Sequence, residues 1–281
     1  MSAYLSIIRP LNGIVAVLAV YIGAFIGGAG LIPSGLFSTV LLGMLVAFLV
    51  SGGGMIINDI ADATADAINR PKRAIPSGRM GKKFAIYYAT VLFIIGNVIA
   101  YRFLPQQAFY VSLLATILLI AYSAKLKGIP MLSHILISFL LALAFIFGGM
   151  LHGNYANLMP LAALVFFANV GKEVYKTIDD ALGDKHLTAR SIALRLDIHR
   201  TRIIGNAFLY AAIVISFVPY FLKMFDEVYI SFAATADVIF VVATISPAKY
   251  SSKLIKTAMF IAILAFLAGA YALRYGFRLP I

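Results

Sequence analysis

The chain has 281 residues, 62% of them hydrophobic and only 12% charged, with a mean hydropathy of +0.97. Soluble domains carry about 25% charged residues, so this composition excludes an ordinary water-soluble fold and describes an all-α, polytopic membrane protein. Cysteine is absent, which excludes disulfides and thiolate chemistry.

In chain order, nine apolar stretches are each long enough to cross a bilayer, which takes roughly 20 residues. They lie near 9–30, 36–58, 84–103, 108–124, 131–150, 157–176, 203–222, 229–246 and 254–274. The first is too long for a cleaved signal peptide, lacks a small-x-small cleavage site, and is followed by eight more. No long linker or low-complexity stretch interrupts the series, so residues 1–281 read as a single membrane domain.

The net charge is +12, and its placement says more than its sum. Nineteen of the 23 Lys and Arg residues fall at Arg9 or in the loops after the second, fourth, sixth and eighth stretches. Arg102, Lys223, Arg274 and Arg278 fall on the other side. The positive-inside rule then expects a cytoplasmic N-terminus, four cytoplasmic basic loops and a C-terminus outside. In so apolar a chain, basic surface points to anionic lipid headgroups and phosphorylated substrates rather than to nucleic acid. No obligate protein partner is evident.

The second stretch ends in Asn58-Asp59-Ile60-Ala61-Asp62-Ala63-Thr64-Ala65-Asp66. On a helix, residues three and seven apart return to nearly one face, so Asp59, Asp62 and Asp66 are expected to point the same way beside Asn58. Three carboxylates that close repel one another unless a positive charge sits among them. Mg²⁺ takes such oxygen ligands and commonly shares them with substrate phosphates. The run Asn69-Arg70-Pro71-Lys72-Arg73-Ala74-Ile75-Pro76-Ser77-Gly78-Arg79 follows, a proline-broken loop rich in cations.

A second acidic run, Gly171 to Lys185, lies around the end of the sixth stretch. Asp180 and Asp184 share a helix face, continued one and two turns back by Thr177 and Glu173, while Asp179 is turned about 100° away. Scattered singly, such residues would be solvated loop charges. Two phased clusters on one side, in a chain with eleven acids, suit two or more Mg²⁺ ions around a diphosphate. Lys172, Lys176 and Lys185 would neutralise the remaining phosphate charge. The spacing of the two clusters also suits a quasi-repeat, although the sequence shows no strong self-similarity.

At these residues the chain resembles the UbiA family of intramembrane prenyltransferases. The family's N-D-x-x-D-x-x-x-D motif is met at Asn58–Asp66 and its I-N-R-P-x-R-x-I-P-S-G run at Ile68–Gly78. Its second motif, D-x-x-D-x-x-x-D, aligns with Thr177, Asp180 and Asp184, so its first position is Thr instead of Asp. Adjacent Asp179 or Glu173 would then compensate. Ile8-Arg9-Pro10-Leu11-Asn12, Tyr122 to Lys127, Phe145 to Gly149 and Gly171-Lys172-Glu173 resemble the archaeal digeranylgeranylglyceryl phosphate synthases within that family.

The resemblance implies nine transmembrane helices around a central cavity opening to the cytoplasmic side. It implies Mg²⁺-dependent transfer of a geranylgeranyl group from its diphosphate to a lipid acceptor, geranylgeranylglyceryl phosphate. It implies Asp59, Asp62, Asp66, Asp180 and Asp184 as catalytic metal ligands, with Asn58. Arg70, Lys72, Arg73, Lys125 and Lys127 would contact phosphate, and Arg9 and Asn12 match family active-site positions. The rival acceptors are 4-hydroxybenzoate, a naphthoate or haem. A transporter is the rival from another class, but it explains neither the phased carboxylates nor the adjacent basic loop.

Other residues read mainly as structural. Tyr87, Tyr88, Tyr122 and Tyr175 suit core or lipid-facing roles better than cation stabilisation. His134, His152, His186 and His199 lack metal-ligand spacing. Gly52-Gly53-Gly54 suits close helix packing. Asp237, in the middle of the eighth stretch, is either a structural hydrogen-bond partner or a substrate contact.

Overall fold

The structure, a computed structural model, describes residues 3–129, 131–183 and 197–276. Every regular element among them is helical. The α-helices are α1 (Ala3–Ile7), α2 (Pro10–Gly27), α3 (Phe37–Ala61), α4 (Ala63–Asn69), α5 (Lys82–Phe103) and α6 (Gln106–Ala124). They continue with α7 (Leu132–Met150), α8 (Met159–Gly183), α9 (Ile198–Ser216), α10 (Val218–Phe221), α11 (Glu227–Ile245) and α12 (Ala248–Tyr275).

Among the described residues, eight helical segments are long and apolar enough to cross a membrane, one fewer than the sequence leads one to expect. The difference is the stretch expected at 157–176. It is α8, long enough at 25 residues, but Lys172, Glu173, Lys176, Asp179 and Asp180 make its second half polar. The expected end at 176 is also too early, because the helix carries Thr177 and Asp180 before it stops.

The chain divides into two compact units. The first comprises Met1–Ala24, Ile32–Lys127 and Leu143–Tyr155. Its core gathers Ile7, Val20, Val40, Val46, Ile56, Phe93, Phe147 and Leu151. Here α2 and α7 approach at glycines: a Cβ at Gly23 would lie 2.1 Å from the Phe145 carbonyl oxygen, and one at Gly148 2.1 Å from that of Val20. Small residues of this kind let apolar helices associate through close van der Waals contact. Gly52–Gly54 serve the same end. Helix α3 runs through them unbroken, and a Cβ would meet Phe93 at 2.8 Å from Gly53 or Leu119 at 2.9 Å from Gly54. Between α5 and α6, Asn97 donates to Thr116 Oγ1 at 3.0 Å and accepts from Ser112 at 3.1 Å, so polar groups at span depth are satisfied internally.

The second unit comprises Phe25–Leu31, Gly128–Ala142 and Ala156–Ile281. Its core holds Tyr175, Ile178, Leu209, Phe240 and Ile255. The Tyr175 hydroxyl donates to Asn206 Oδ1, which makes this tyrosine a core residue. Asp237 has a partner that the sequence does not reveal: the Ser216 hydroxyl donates to its Oδ2 at 2.6 Å, and Tyr229 donates to the Ser216 carbonyl at 2.8 Å. The rings of Phe225, Tyr229 and Phe266 stack around this group.

Candidate active site

The first unit assembles its polar site where α3 gives way to α4. Helix α3 ends at Ala61, Asp62 caps it, and α4 restarts at Ala63. Pro71 lacks an N–H and halts α4 at Asn69. The basic loop that follows is held in place: Ser77 N–H donates to Arg73 O, Gly78 to Ile75 O and Met80 to Ala74 O, each at 3.0 Å. Gly78 takes φ +74°, the left-handed turn conformation that glycine adopts without strain.

The three carboxylates do not share a single cation. Asp59, 4% exposed, and Asp66, 6% exposed, turn to a common cation. Arg73 donates to Asp59 Oδ1 at 3.4 Å and to Asp66 Oδ2. Asp59 also accepts from Arg9. Asp62 instead accepts from Lys127 and, at 3.3 Å, from the Asn58 amide. Lys127 closes that second group by donating to Asn58 Oδ1 at 2.8 Å. Helical bonding continues through Asp62, whose N–H donates to Asn58 O at 3.0 Å, and its carboxylate finds a cation 65 residues away in sequence.

Arg9 reaches Asp59 from the break between α1 and α2. It takes φ +47°, a left-handed conformation uncommon for a residue with a Cβ. The Arg9 carbonyl then accepts from Asn12 N–H at 2.9 Å and opens α2.

Beside the Asp59 group lies a cavity of about 520 Å³ lined by Ser6, Arg9, Asp59, Asn69, Arg70, Lys72, Arg73 and Arg79, among others. Arg70 and Lys72 are exposed, and the Lys72 carbonyl accepts from Arg79 at 2.5 Å. Asn12 lies instead against Met55 Sδ at 3.9 Å, and Lys125 is exposed at the end of α6. Neither bonds the carboxylates.

The second unit builds its polar group on α8. Lys172 pairs with Glu173 at 3.0 Å, and the largely exposed Lys176 reaches it at 3.9 Å. Glu173 is thus engaged by lysines. The buried Thr177 hydroxyl donates to the Val174 carbonyl at 2.7 Å, within its own helix. Asp180 is exposed and Asp179 half-buried. Asp184 lies outside the described residues, as do Lys185 and His186. Sequence reasoning missed two residues here, Asn169 and Ser138, which bond beneath Lys172. A lone Asn one turn before Lys172, in an apolar stretch, was the available signal.

Among the described residues, no group of three or more His, Asp and Glu stands close enough to hold a metal ion. The donors around Asp59, Asp62 and Asp66 are nevertheless all carboxylate and amide oxygens, the set a hard divalent cation prefers. Arg9, Arg73 and Lys127 pair with these carboxylates, and the oxygen donors present fit such an ion.

Comparison with known proteins shows the family. Residues 16–268 match the model of the UbiA prenyltransferase family. The digeranylgeranylglyceryl phosphate synthase of Methanosarcina mazei is 37% identical over 233 residues, covering 80% of either chain. A solved structure of a digeranylgeranylglyceryl phosphate synthase in membranes superposes with TM-score 0.86 at 29% identity, covering 96% of this chain and 98% of the other. A UbiA homologue from Archaeoglobus fulgidus, solved with DMAPP and Mg²⁺, has the same fold at TM-score 0.75 and 19% identity, with 97% and 99% covered. Both acidic motifs fall within the matched residues, and this chain belongs to the UbiA prenyltransferase family.

Proposed function

We propose that the chain transfers a geranylgeranyl group from geranylgeranyl diphosphate to the free hydroxyl of geranylgeranylglyceryl phosphate. The observation that carries this reading is the 37% identity to a digeranylgeranylglyceryl phosphate synthase. The cationic cavity supports it: Arg9, Arg70, Lys72, Arg73 and Arg79 line it together with Asp59. That surplus suits a reaction in which donor and acceptor are both phosphorylated.

Residues of both motifs would hold Mg²⁺: Asn58, Asp59, Asp62 and Asp66, with Asp180 and Asp184. Bound there, the ion supplies charge neutralisation of the departing diphosphate. Arg9, Arg73 and Lys127 already stand at Asp59, Asp66 and Asp62, so the same cations are placed to donate to phosphate oxygens as the allylic C–O bond breaks. Lys72, Lys125, Lys172 and Lys176 add positive charge for the two substrates. The acceptor oxygen forms the new C–O bond and loses its proton to a carboxylate or to water. An apolar membrane interior keeps water from the allylic cation. The orientation consistent with this chemistry puts the N-terminus and the basic loops in the cytoplasm, with residues 1–281 acting as one catalytic domain.

The test is an assay of purified protein with labelled geranylgeranyl diphosphate and a panel of acceptors. The glyceryl phosphate should be preferred, its dephosphorylated alcohol used poorly, and EDTA should abolish transfer until Mg²⁺ is restored. Preference for 4-hydroxybenzoate or a naphthoate would overturn the acceptor. Full activity in chelator would overturn the metal.

A further inference from the structure

Beneath the charged face of α8 runs a chain of hydrogen bonds whose direction is fixed at every link. Ser138, on α7, is fully buried and donates to the His134 carbonyl one turn back at 2.7 Å. Its hydroxyl proton is thereby taken, and its oxygen lone pairs face Asn169. Asn169 is 1% exposed and donates its Nδ2 to Ser138 Oγ at 3.0 Å. That bond sets the amide: the nitrogen lies toward Ser138 and Oδ1 lies on the other side, where it accepts from Lys172 Nζ at 2.7 Å. A flipped amide would set N–H groups against an ammonium, which has donors only. Glu173 holds the same ammonium from the next position at 3.0 Å.

Two of the three ammonium donors are therefore directed by Asn169 and Glu173, four positions apart on one helix face, leaving a third for another acceptor. Burying an amide and a hydroxyl to steer a lysine is costly unless every group is paired, and here each is. We propose that Ser138 and Asn169 are positioning residues, which act through Lys172 to hold its ammonium for a substrate phosphate. This rests on the function proposed above and deepens it.

The experiment is a mutant cycle on the purified, Mg²⁺-supplied enzyme, with KM measured separately for the diphosphate donor and the phosphorylated acceptor. Lys172→Ala identifies which substrate the ammonium serves. Asn169→Ala should raise that same KM by about tenfold, the scale of one hydrogen bond to a charged group, and leave the other within about twofold. In the double variant the Asn169 effect should vanish, because its only route is through Lys172. Should Asn169→Ala fail to fold, Ser138→Ala enters the same cycle. Effects that add, that fall on the other substrate, or that change thermal stability alone would overturn the inference. If the parent enzyme does not use the glyceryl phosphate, the function proposed above fails. The cycle is then read on the donor and the acceptor it does use.

Discussion

At the scale of single residues, Arg73 carries the most consequence. One guanidinium nitrogen serves both Asp59 and Asp66, two mostly buried carboxylates that would otherwise repel. Removing one partner of a buried pair costs about 3–5 kcal/mol, and somewhat less here because the Arg73 side chain is 17% exposed. The variant Arg73→Gln should therefore unfold earlier in detergent. Mg²⁺ should raise its melting temperature more than that of the parent, because the ion no longer competes with a guanidinium for the same oxygens. Its kcat/KM for the donor should fall by about 100-fold, as one or two charge-assisted phosphate contacts are lost. Equal Mg²⁺-induced shifts in parent and variant would show that Asp59 and Asp66 are not where the metal binds. Thr177 is the opposite case, since its hydroxyl is spent on its own helix and no charge stands where the family motif has an Asp.

At the scale of elements, the junction of α3 with α4 and the contact of α2 with α7 matter most. The first carries Asp62, paired with Lys127, one turn beyond Asp59, paired with Arg9. The second depends on glycine. A Cβ on residue 148 would lie 2.1 Å from the Val20 carbonyl oxygen and 2.8 Å from the Ala24 nitrogen. Backbone atoms cannot rotate away, so the helices would have to part. Gly148→Ala should destabilise the protein by about 2–3 kcal/mol or more, measured as thermal unfolding in detergent. Gly128→Ala is the control, because nothing lies within 4 Å of its Cβ position. A similar melting temperature for both variants would mean that the α2–α7 contact is looser than described.

At the scale of the whole molecule, the distribution of Lys and Arg predicts which ends face the cytoplasm. The absence of cysteine makes this testable without background labelling. Ser77→Cys lies in the first basic loop and Gln107→Cys at the start of α6, and both positions are exposed. A membrane-impermeant thiol reagent should label Gln107→Cys in intact cells, and Ser77→Cys only after permeabilisation. The reverse pattern would invert the proposed orientation and put the basic loops outside.

By itself, the sequence determined the helical class, most of the span positions, both acidic motifs and the basic loop. Those features rest on local periodicity and composition, which each segment carries within itself. It did not determine which charges meet. Helical spacing groups Asp59, Asp62 and Asp66, yet Asp59 and Asp66 pair with Arg73 while Asp62 pairs with Lys127. The partner of Asp237, Ser216, is 21 residues away in sequence, and that of Asn169, Ser138, is 31 residues away. Among many cations and hydroxyls of similar chemistry, proximity selects the partner, and proximity is set by helix packing at small residues such as Gly23 and Gly148. Tertiary structure alone decides that, because the energy of a charge pair or a buried hydrogen bond depends on distances that no local pattern encodes.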